Sequence, residues 1–403
     1  MNSRISRRDF LGLSLAGILS ACTARSLGEP TSTPTATIPN PTATFDASPH
    51  TYAADHPGTL YFGRIDFSDP KKPVFSAPGV VIQANFHGTG AAVLLQDEFK
   101  YGTNRNYYDA FIDGTTVVKI APEQNVTRFE VAIDLPEADH SLALVKRTEA
   151  SIGKCTFLGF EFAGSIGPAP ARPARRLEFI GNSITCGTGD EAMVNSPQCT
   201  EDGWGQPYNN ARLSYGPVLS RSLNAEYHLS AVSGIGMVRN YSFRYDDRPM
   251  PEVYDSLFFE QTDSPKWDPQ KYIPDGLVVA LGTNDFSPGD SDRPIMQVDE
   301  WVDAALIFIG KLRQNYPAAH IFLVSSPMLG DNWPTGEYKS ATDQKTAITK
   351  VVEQLNGAGD DRVHKVFSIP IAGKGCGTHP EVSQHALMAE QLGGVIAAAM
   401  GWQ

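Results

Sequence analysis

Apolar strand-length runs alternate with helical segments from about residue 177 onward, and this pattern constrains the fold most. The runs "LEFIG" (177–181) and "HIFLVSS" (320–326) are typical of strands, whereas "VDEWVDAALIFIGKLRQNY" (298–316) has a helical period. Strands that are separated by helices pair in parallel, and the helices cover both faces of the sheet. The sequence therefore predicts a three-layer α/β/α domain with a parallel sheet over residues 175–403.

Residues 50–165 consist of short apolar runs between glycine, proline and aspartate clusters, without a helical period. "GVVIQANFHG" and "AAVLLQDE" are interpreted as two separate strands among these. Such spacing predicts an all-β jelly-roll sandwich, either a sugar-binding module or a packing partner for the second domain. Its aromatic residues Tyr107, Tyr108 and Phe111 are expected in the core rather than on a carbohydrate-binding surface.

Polar residues follow several strands of the predicted parallel sheet. Ser183, Gly234 with Gly236, and Asn284 come after the first three strands, and His379 lies beyond the last. Open α/β sheets bind ligands at the carboxyl ends of their strands, so we expect these residues at one site. Serine, glycine and asparagine are also common turn residues, and a histidine at this place can instead cap the following helix.

Four short segments occur in a fixed order at these strand ends: "GNSIT", "SGIG", "GTND" and "THP". Together they resemble the blocks of the SGNH or GDSL hydrolase superfamily. The sandwich segments "GRIDF", "FIDG" and "KRTE", joined to "SITCG" and "GCGTHP", are similar to carbohydrate esterase family two. That resemblance implies acetyl esterase activity on plant polysaccharides. No residue pattern in the sequence calls for a cofactor.

The resemblance also implies roles for individual residues. Ser183 is the expected nucleophile, and His379 is the base that takes its proton and returns it to the leaving alcohol. The backbone amides of Ser183 and Gly234 and the side chain of Asn284 are the expected donors to the oxyanion. Gly236 takes the place of Gly234 if the loop is offset.

Two positions depart from the family pattern. Asn182 stands where the superfamily usually has aspartate. Cys376 and Gly377 stand where many relatives carry an acid before the histidine. We therefore expect a dyad in which a main-chain carbonyl accepts from Nδ1 of His379, while Nε2 faces Ser183.

Two further features lie near the predicted site. Trp333 in "LGDNWP" follows a strand and either stacks on a sugar ring or packs into its own loop. Cys186 is a candidate to form a disulfide with Cys376 or with Cys199, although the pairing among these cysteines and Cys155 stays open. No group of residues has the spacing of a metal site.

The first 49 residues are interpreted as an export signal followed by a tether. "SRRDFL" (6–11), a short apolar run and "LSAC" ending at Cys22 resemble a twin-arginine lipoprotein signal over residues 1–22. An ordinary signal peptide that is cleaved elsewhere is the alternative. Residues 23–49 are rich in threonine and proline and predict a disordered tether. We expect an exported bacterial lipoprotein, periplasmic or at the cell surface, anchored through lipid at Cys22.

The formal net charge of −12 argues against nucleic-acid binding.

The favoured function is a serine esterase that removes acetyl groups from oligo- or polysaccharides, acting as a monomer. A lipid esterase or lysophospholipase uses the same machinery. A non-catalytic carbohydrate-binding lipoprotein is the third hypothesis.

Overall fold

An antiparallel sheet and a parallel sheet follow one another in a computed structural model that describes residues 47–100, 102, 104–201, 206–241, 247–289 and 293–402. The predicted signal, with Cys22, and most of the predicted tether lie outside these residues. Both sheets belong to one compact unit of the chain. Over the described ranges, no helix combines the length and the apolar composition needed to cross a membrane.

The first sheet is entirely antiparallel, as the strand pattern predicts. Its strands are β1 (Pro49–Ala53), β2 (Thr59–Phe62), β3 (Val74–Phe75), β4 (Val81–Asp97), β5 (Tyr108–Ile112), β6 (Thr115–Ile120), β7 (Arg128–Ala132), β8 (Ala138–Lys146) and β9 (Cys155–Ile166). The first half of β4 pairs with β2 and β8, and its second half pairs with β7 and β9. Tyr108 and Phe111 are buried, as expected.

The prediction of two strands over residues 79–98 is wrong, because β4 runs unbroken from Val81 to Asp97. The pairing of β4 with β9 shifts register between Gly88 and Gly90. A Cβ atom at Gly88 would lie 2.3 Å from the carbonyl oxygen of Ala163. Gly88 therefore permits close approach of two strands at a bulge, and the glycines do not form a turn.

The second sheet is parallel and has the order β11-β10-β12-β13-β14. Its strands are β10 (Arg175–Gly181), β11 (Ala225–Ala231), β12 (Gly276–Ala280), β13 (His320–Val324) and β14 (Val363–Val366). Helices cover both faces, and the central strands β12 and β13 are accordingly apolar on both sides, whereas β10 and β11 also bury the polar residues Glu178, Glu226, His228 and Ser230. The predicted order of an all-β domain before a parallel α/β domain is confirmed.

The four longest α-helices of the described residues form the outer layers, and they are α3 (Tyr215–Ser222), α6 (Val298–Asn315), α7 (Ser340–Gly357) and α8 (Val382–Met400). Single helical turns of four residues are α1 (Ser183–Cys186), α2 (Gln198–Glu201), α4 (Met250–Val253) and α5 (Thr283–Phe286). Helices α3 and α8 pack in one cluster with Phe179 and Val278, whereas α6 and α7 pack in another with Val279. Successive strand residues thus face opposite layers, as the pleat requires.

A buried ion pair joins the sandwich to the strand that leads to Ser183. The guanidinium of Arg64, which follows β2, lies 3.1 Å from Oε1 of Glu178 on β10. The same carboxylate accepts hydrogen bonds from Ser230 at 2.6 Å and from the hydroxyl of Tyr254 at 2.9 Å. Removing one partner of such a pair costs about 3–5 kcal/mol, so this contact fixes the two domains against each other.

Candidate active site

Three neighbouring strand ends bring the predicted site residues to one edge of the parallel sheet. Gly181 at the end of β10 pairs with Ala231 of β11 on one side and with Ala280 of β12 on the other. Ser183 follows the end of β10 within a few residues, and Asn284 follows the end of β12 in the same way. The register therefore places the loops after β10, β11 and β12 side by side.

Ser183 is the first residue of the four-residue helix α1, and Asn182 is its N-cap. The Oδ1 atom of Asn182 accepts from the amide of Ile184 at 3.1 Å, and its Nδ2 donates to the carbonyl of Ala280 at 3.4 Å. An aspartate could make only the first of these bonds. Asn182 is therefore uncharged, unlike the aspartate that is usual in the superfamily, but it makes an additional hydrogen bond to β12.

His379 lies against the predicted nucleophile. Its Nε2 atom is 2.8 Å from the Oγ atom of Ser183, and its Nδ1 atom is 3.0 Å from the carbonyl oxygen of Cys376. A carbonyl only accepts, so Nδ1 carries the proton and Nε2 is free to accept from the serine hydroxyl. Burial lowers the pKa of His379, and hydrogen bonds to the carbonyls of Cys376 and Gly377 oppose that effect. The ring is therefore neutral at neutral pH.

Two of the three acids nearest to His379 in the sequence, which are Asp360, Asp361 and Glu381, have other partners. Asp360 forms an ion pair with Arg313, with 2.9 Å between Oδ2 and Nε. Glu381 caps α8 by accepting from the amide of Ser383 at 3.0 Å. In the part of the chain that the structure describes, no carboxylate hydrogen-bonds to the ring of His379. The geometry is that of a Ser-His dyad.

The two candidate glycines for the oxyanion site differ in their hydrogen bonding. The amide of Gly236 donates to Oδ1 of Asn240 at 2.9 Å, so it is already occupied. The amide of Gly234 has no acceptor among the described residues, and its φ of +75° is in the left-handed region that glycine favours. Asn284 is buried and donates one Nδ2 hydrogen to the carbonyl of Ile235 at 2.8 Å, which leaves its second hydrogen for a ligand.

Asp285 is a site residue that the sequence reasoning missed. Its buried carboxylate accepts from the amides of Met237, Val238 and Arg239 at 3.0, 2.7 and 3.1 Å. The guanidinium of Arg239 in turn donates to the main-chain carbonyl of Asp285 at 2.7 Å. Burial raises the pKa of Asp285, and the three amides oppose that effect. The signal was present in "GTND", where Asp285 follows Asn284 directly.

The disulfide pairs Cys199 with Cys376, and neither pairing considered from the sequence occurs. Cys186 is 1% exposed on the inner side of α1 and remains a thiol, as does Cys155 in the core of the sandwich. Cys376 supplies the carbonyl that holds His379. The disulfide therefore tethers the segment that carries the base.

Trp333 lies on the loop after β13. Val279 near the end of β12 pairs with Leu323 near the end of β13, so the two strands end at the same edge of the sheet, where the site lies. Trp333 is 62% exposed, so most of its surface is not packed into its own loop. Of the two interpretations left open by the sequence, its exposure favours a contact surface. Within the described ranges, no cluster of His, Cys, Asp and Glu side chains has the arrangement needed to hold a metal ion.

The parallel domain has a recognised family. Residues 179–387 match the model of the GDSL-like Lipase/Acylhydrolase family. Because that match contains Ser183, Asn284 and His379, the fold and the site define a GDSL-like acylhydrolase, which is a carboxylic ester hydrolase.

The sandwich narrows the class further. Residues 61–170 match the N-terminal domain of carbohydrate esterase 2. A solved family two carbohydrate esterase from Clostridium thermocellum, in complex with cellohexaose, is 33% identical, with 86% of this chain and 100% of that chain covered and a TM-score of 0.76. The chain belongs to the family two carbohydrate esterases.

Two curated relatives extend the comparison. The "Cellulase/esterase CelE" of Acetivibrio thermocellus is 36% identical over 354 residues, which are 86% of this chain but only 40% of that protein. An "Acetylxylan esterase / glucomannan deacetylase" of Cellvibrio japonicus is 29% identical, with 90% of this chain and 95% of the relative covered.

Proposed function

We propose that this protein hydrolyses O-acetyl esters on carbohydrate through an acetyl-enzyme intermediate on Ser183. The observation that carries the proposal is the 2.8 Å contact between Nε2 of His379 and the Oγ atom of Ser183, with the opposite ring nitrogen held by a carbonyl. This contact turns a poor nucleophile into an activated one.

In the first half of the reaction, Oγ of Ser183 attacks the acetyl carbonyl carbon while its proton moves to Nε2 of His379. The carbonyl oxygen becomes an oxyanion that accepts from the amides of Ser183 and Gly234 and from Nδ2 of Asn284. Each such donor is worth about 10²- to 10³-fold in rate. The Nε2 proton then passes to the leaving sugar oxygen as the ester C–O bond breaks.

In the second half, water replaces the sugar. His379 takes one proton from the water as its oxygen attacks the acetyl group on Ser183, and the same oxyanion donors hold the second tetrahedral intermediate. Return of the proton to Oγ releases acetate and restores the free serine. The neutral state of His379 at neutral pH suits it to accept a proton in both halves.

The carbohydrate assignment rests on family membership and on the exposed Trp333 at the active edge. The matched Cellvibrio japonicus protein is named an acetylxylan esterase and glucomannan deacetylase. An exposed indole offers an apolar face on which a pyranose ring can stack. Replacing Trp333 with alanine should raise KM for acetylated oligosaccharides severalfold while leaving 4-nitrophenyl acetate turnover unchanged. Equal effects on both substrates would oppose a sugar platform.

Ser183→Ala tests the reaction. Because it removes one hydroxyl and no core volume, we expect at least a thousandfold loss of 4-nitrophenyl acetate turnover, roughly as for other nucleophile deletions, in a folded protein. Ser326→Ala is the matched control, since Ser326 lies after β13 at the same edge and its Oγ atom accepts from the amide of Met328 at 3.2 Å. Comparable turnover in the two variants would contradict the proposal.

A substrate panel separates the competing functions. A carbohydrate acetyl esterase should release acetate from acetylated xylan and glucomannan and should prefer 4-nitrophenyl acetate to longer acyl esters. Preference for octanoate would favour the lipid esterase. Binding of the polysaccharides with no turnover of any ester would favour the non-catalytic lipoprotein.

We further propose that the protein is exported and anchored through a lipid on Cys22. Support comes from "SRRDFL" followed by "LSAC" in residues 1–22. Cys22→Ser should release the protein from the membrane fraction, and the double change Arg7→Lys, Arg8→Lys should block export. A wild-type protein that fractionates without membranes and has no lipid at Cys22 by mass spectrometry would contradict this proposal.

A further inference from the structure

The sandwich domain supplies a buried carboxylate to the loop after β11. Glu149 follows β8 and precedes a single 3₁₀ turn, Ala150–Ile152, and it is 7% exposed. One oxygen, Oε2, accepts from the amide of Ser233 at 3.1 Å. Ser233 immediately precedes Gly234, whose own amide is a candidate donor to the oxyanion.

The backbone that carries Glu149 is fixed by a buried lysine. Nζ of Lys146 donates to the carbonyl of Glu149 at 3.1 Å and to the carbonyl of Thr148 at 2.7 Å. The hydroxyl of Thr148 donates to Oδ1 of Asn106 at 2.7 Å. Lys146 is 0% exposed, and burial lowers its pKa to about 8. Such a satisfied polar network holds the carboxylate in one place.

Ser233 also contacts the nucleophile segment. Its hydroxyl lies 3.0 Å from the hydroxyl of Thr188, and the amide of Thr188 donates to the carbonyl of Ser183 at 3.1 Å. Ser233 thus connects the carboxylate of Glu149 with the turn that ends α1. This connection runs between the nucleophile and one of its oxyanion donors.

Peptide geometry links these contacts to catalysis. A peptide unit is planar, so the direction of the Gly234 N–H depends on the rotation of the Ser233–Gly234 peptide. Gly234 itself has a φ of +75° and no side chain to restrict it. The N–H of Ser233 belongs to the preceding Val232–Ser233 peptide, so the bond to Glu149 fixes that peptide, and the contact with Thr188 holds the Ser233 side chain on the same Cα atom. With its amide and its side chain both held, Ser233 leaves the Ser233–Gly234 peptide less freedom to rotate.

We propose that Glu149 is a positioning residue for the esterase reaction: by holding the amide of Ser233, it fixes the residue before Gly234 so that the Gly234 N–H points at the developing oxyanion. The inference rests on the proposed function and assigns the sandwich a part in it. Loss of a well-placed donor costs about 10²- to 10³-fold, so loosening one should cost about tenfold in kcat. KM should change less than kcat, because the donor acts on charge that develops in the transition state.

Glu149→Ala and Glu149→Gln test the inference together. The alanine variant should lose about tenfold in kcat for 4-nitrophenyl acetate, with KM within about twofold of wild type. Glutamine keeps an oxygen that can accept from the amide of Ser233, so it should recover most of that loss. A purely structural role predicts lower thermal stability without this split between kcat and KM.

Asp113→Ala is the matched control. Asp113 is a carboxylate of the same sandwich, and it accepts from the amide of Ser141 on β8 at 2.8 Å. Its hydrogen-bond partners, His140 and Ser141, are not members of the network around Glu149. We expect kcat to stay within about twofold of wild type even where the unfolding temperature falls. Equal losses of kcat for Glu149→Ala and Asp113→Ala, or no recovery with Glu149→Gln, would overturn the inference.

A second variant covers the case in which Glu149→Ala does not fold. Glu149→Asp keeps the charge but withdraws the acceptor by one methylene, and kcat should again fall more than KM rises. Unchanged kcat in this variant would overturn the inference. Failure of the proposed function is a separate result, because it would appear as an inactive wild type or an active Ser183→Ala.

Discussion

The two members of the dyad are held by different kinds of structure. Ser183 lies two residues after the end of β10, a strand with parallel neighbours on both sides, and Asn182 between them caps the short helix α1 that Ser183 begins. His379 lies beyond β14 at the end of the irregular segment 367–378. That segment is fixed by distant contacts, including the amide of Cys376 on the carbonyl of Gly189 at 3.0 Å.

This difference extends to electrostatics. The main-chain carbonyl that orients His379 carries no full charge, so it stabilises the imidazolium less than an aspartate would. In the proposed reaction, catalysis then depends more on the oxyanion donors, for which we propose Ser183, Gly234 and Asn284 on three adjacent loops. The loops after β11 and β12 are joined by Asp285, whose carboxylate binds three amides.

The largest expected effect comes from removing the base. His379→Ala should lower kcat by roughly 10³-fold or more, because the serine hydroxyl then has no acceptor for its proton. Asp360→Asn, Asp361→Asn and Glu381→Gln should each retain most of the turnover of 4-nitrophenyl acetate. A loss with any of these amides that matches His379→Ala, in a folded protein, would replace the dyad with a triad.

A smaller effect is expected from Asp285, which connects the two loops that carry the proposed oxyanion donors Gly234 and Asn284. Asp285→Ala leaves three amides without their acceptor, and each such group costs about 1–3 kcal/mol of stability when it stays buried. We expect about a 10- to 100-fold loss of kcat, because the loops after β11 and β12 lose their connection. Steady-state kinetics and thermal unfolding measure the two effects separately.

Asp331→Ala is the control for Asp285. Asp331 also accepts from two backbone amides, those of Ala341 and Thr342, at 3.0 and 3.1 Å, but it caps α7. Its kcat should stay near the wild-type value. If the two variants lose kcat equally, the loss reports general destabilisation of the domain and not the oxyanion loops.

Loss of the disulfide should have a milder effect on the base. Cys199 and Cys376 are 177 residues apart in the chain, and removing a native disulfide commonly costs about 2–5 kcal/mol. Cys199→Ser should lower the unfolding temperature and reduce kcat severalfold, because the segment with the Cys376 carbonyl becomes freer to move. A thiol reductant should affect the wild type in the same way and leave Cys199→Ser unchanged. Full kcat in the serine variant would show that hydrogen bonds alone orient His379.

The sequence predicts the nucleophile region better than the region of the base for a physical reason. β10 has a strong apolar run, and its end carries glycine, asparagine and serine, so periodicity and turn chemistry both place Ser183. The contacts of Cys376 with Cys199 and with Gly189 join segments far apart in the chain, and no local pattern encodes them.

The supporting residues were missed for a related reason. Asp285 and Glu149 each act on the backbone of another loop, and a carboxylate that accepts from main-chain amides leaves no complementary side chain to find in the sequence. The prediction of a turn near Gly88 is wrong for a similar reason. Glycine is found both in turns and where two strands approach closely, and the local sequence does not distinguish the two.

The pH profile of the reaction tests whether a carbonyl or a carboxylate orients His379, because the two partners affect the pKa of the ring differently. A carboxylate partner would raise the pKa of His379, whereas burial beside a neutral carbonyl lowers it from 6.5. Only the neutral ring accepts the serine proton, so kcat/KM should be full at neutral pH and fall as the pH drops through that lowered pKa. The acid inflection should therefore lie below pH 6.5 and should not move in Glu381→Gln. An inflection above pH 6.5 that moves down when an acid is replaced by its amide would identify a charged partner.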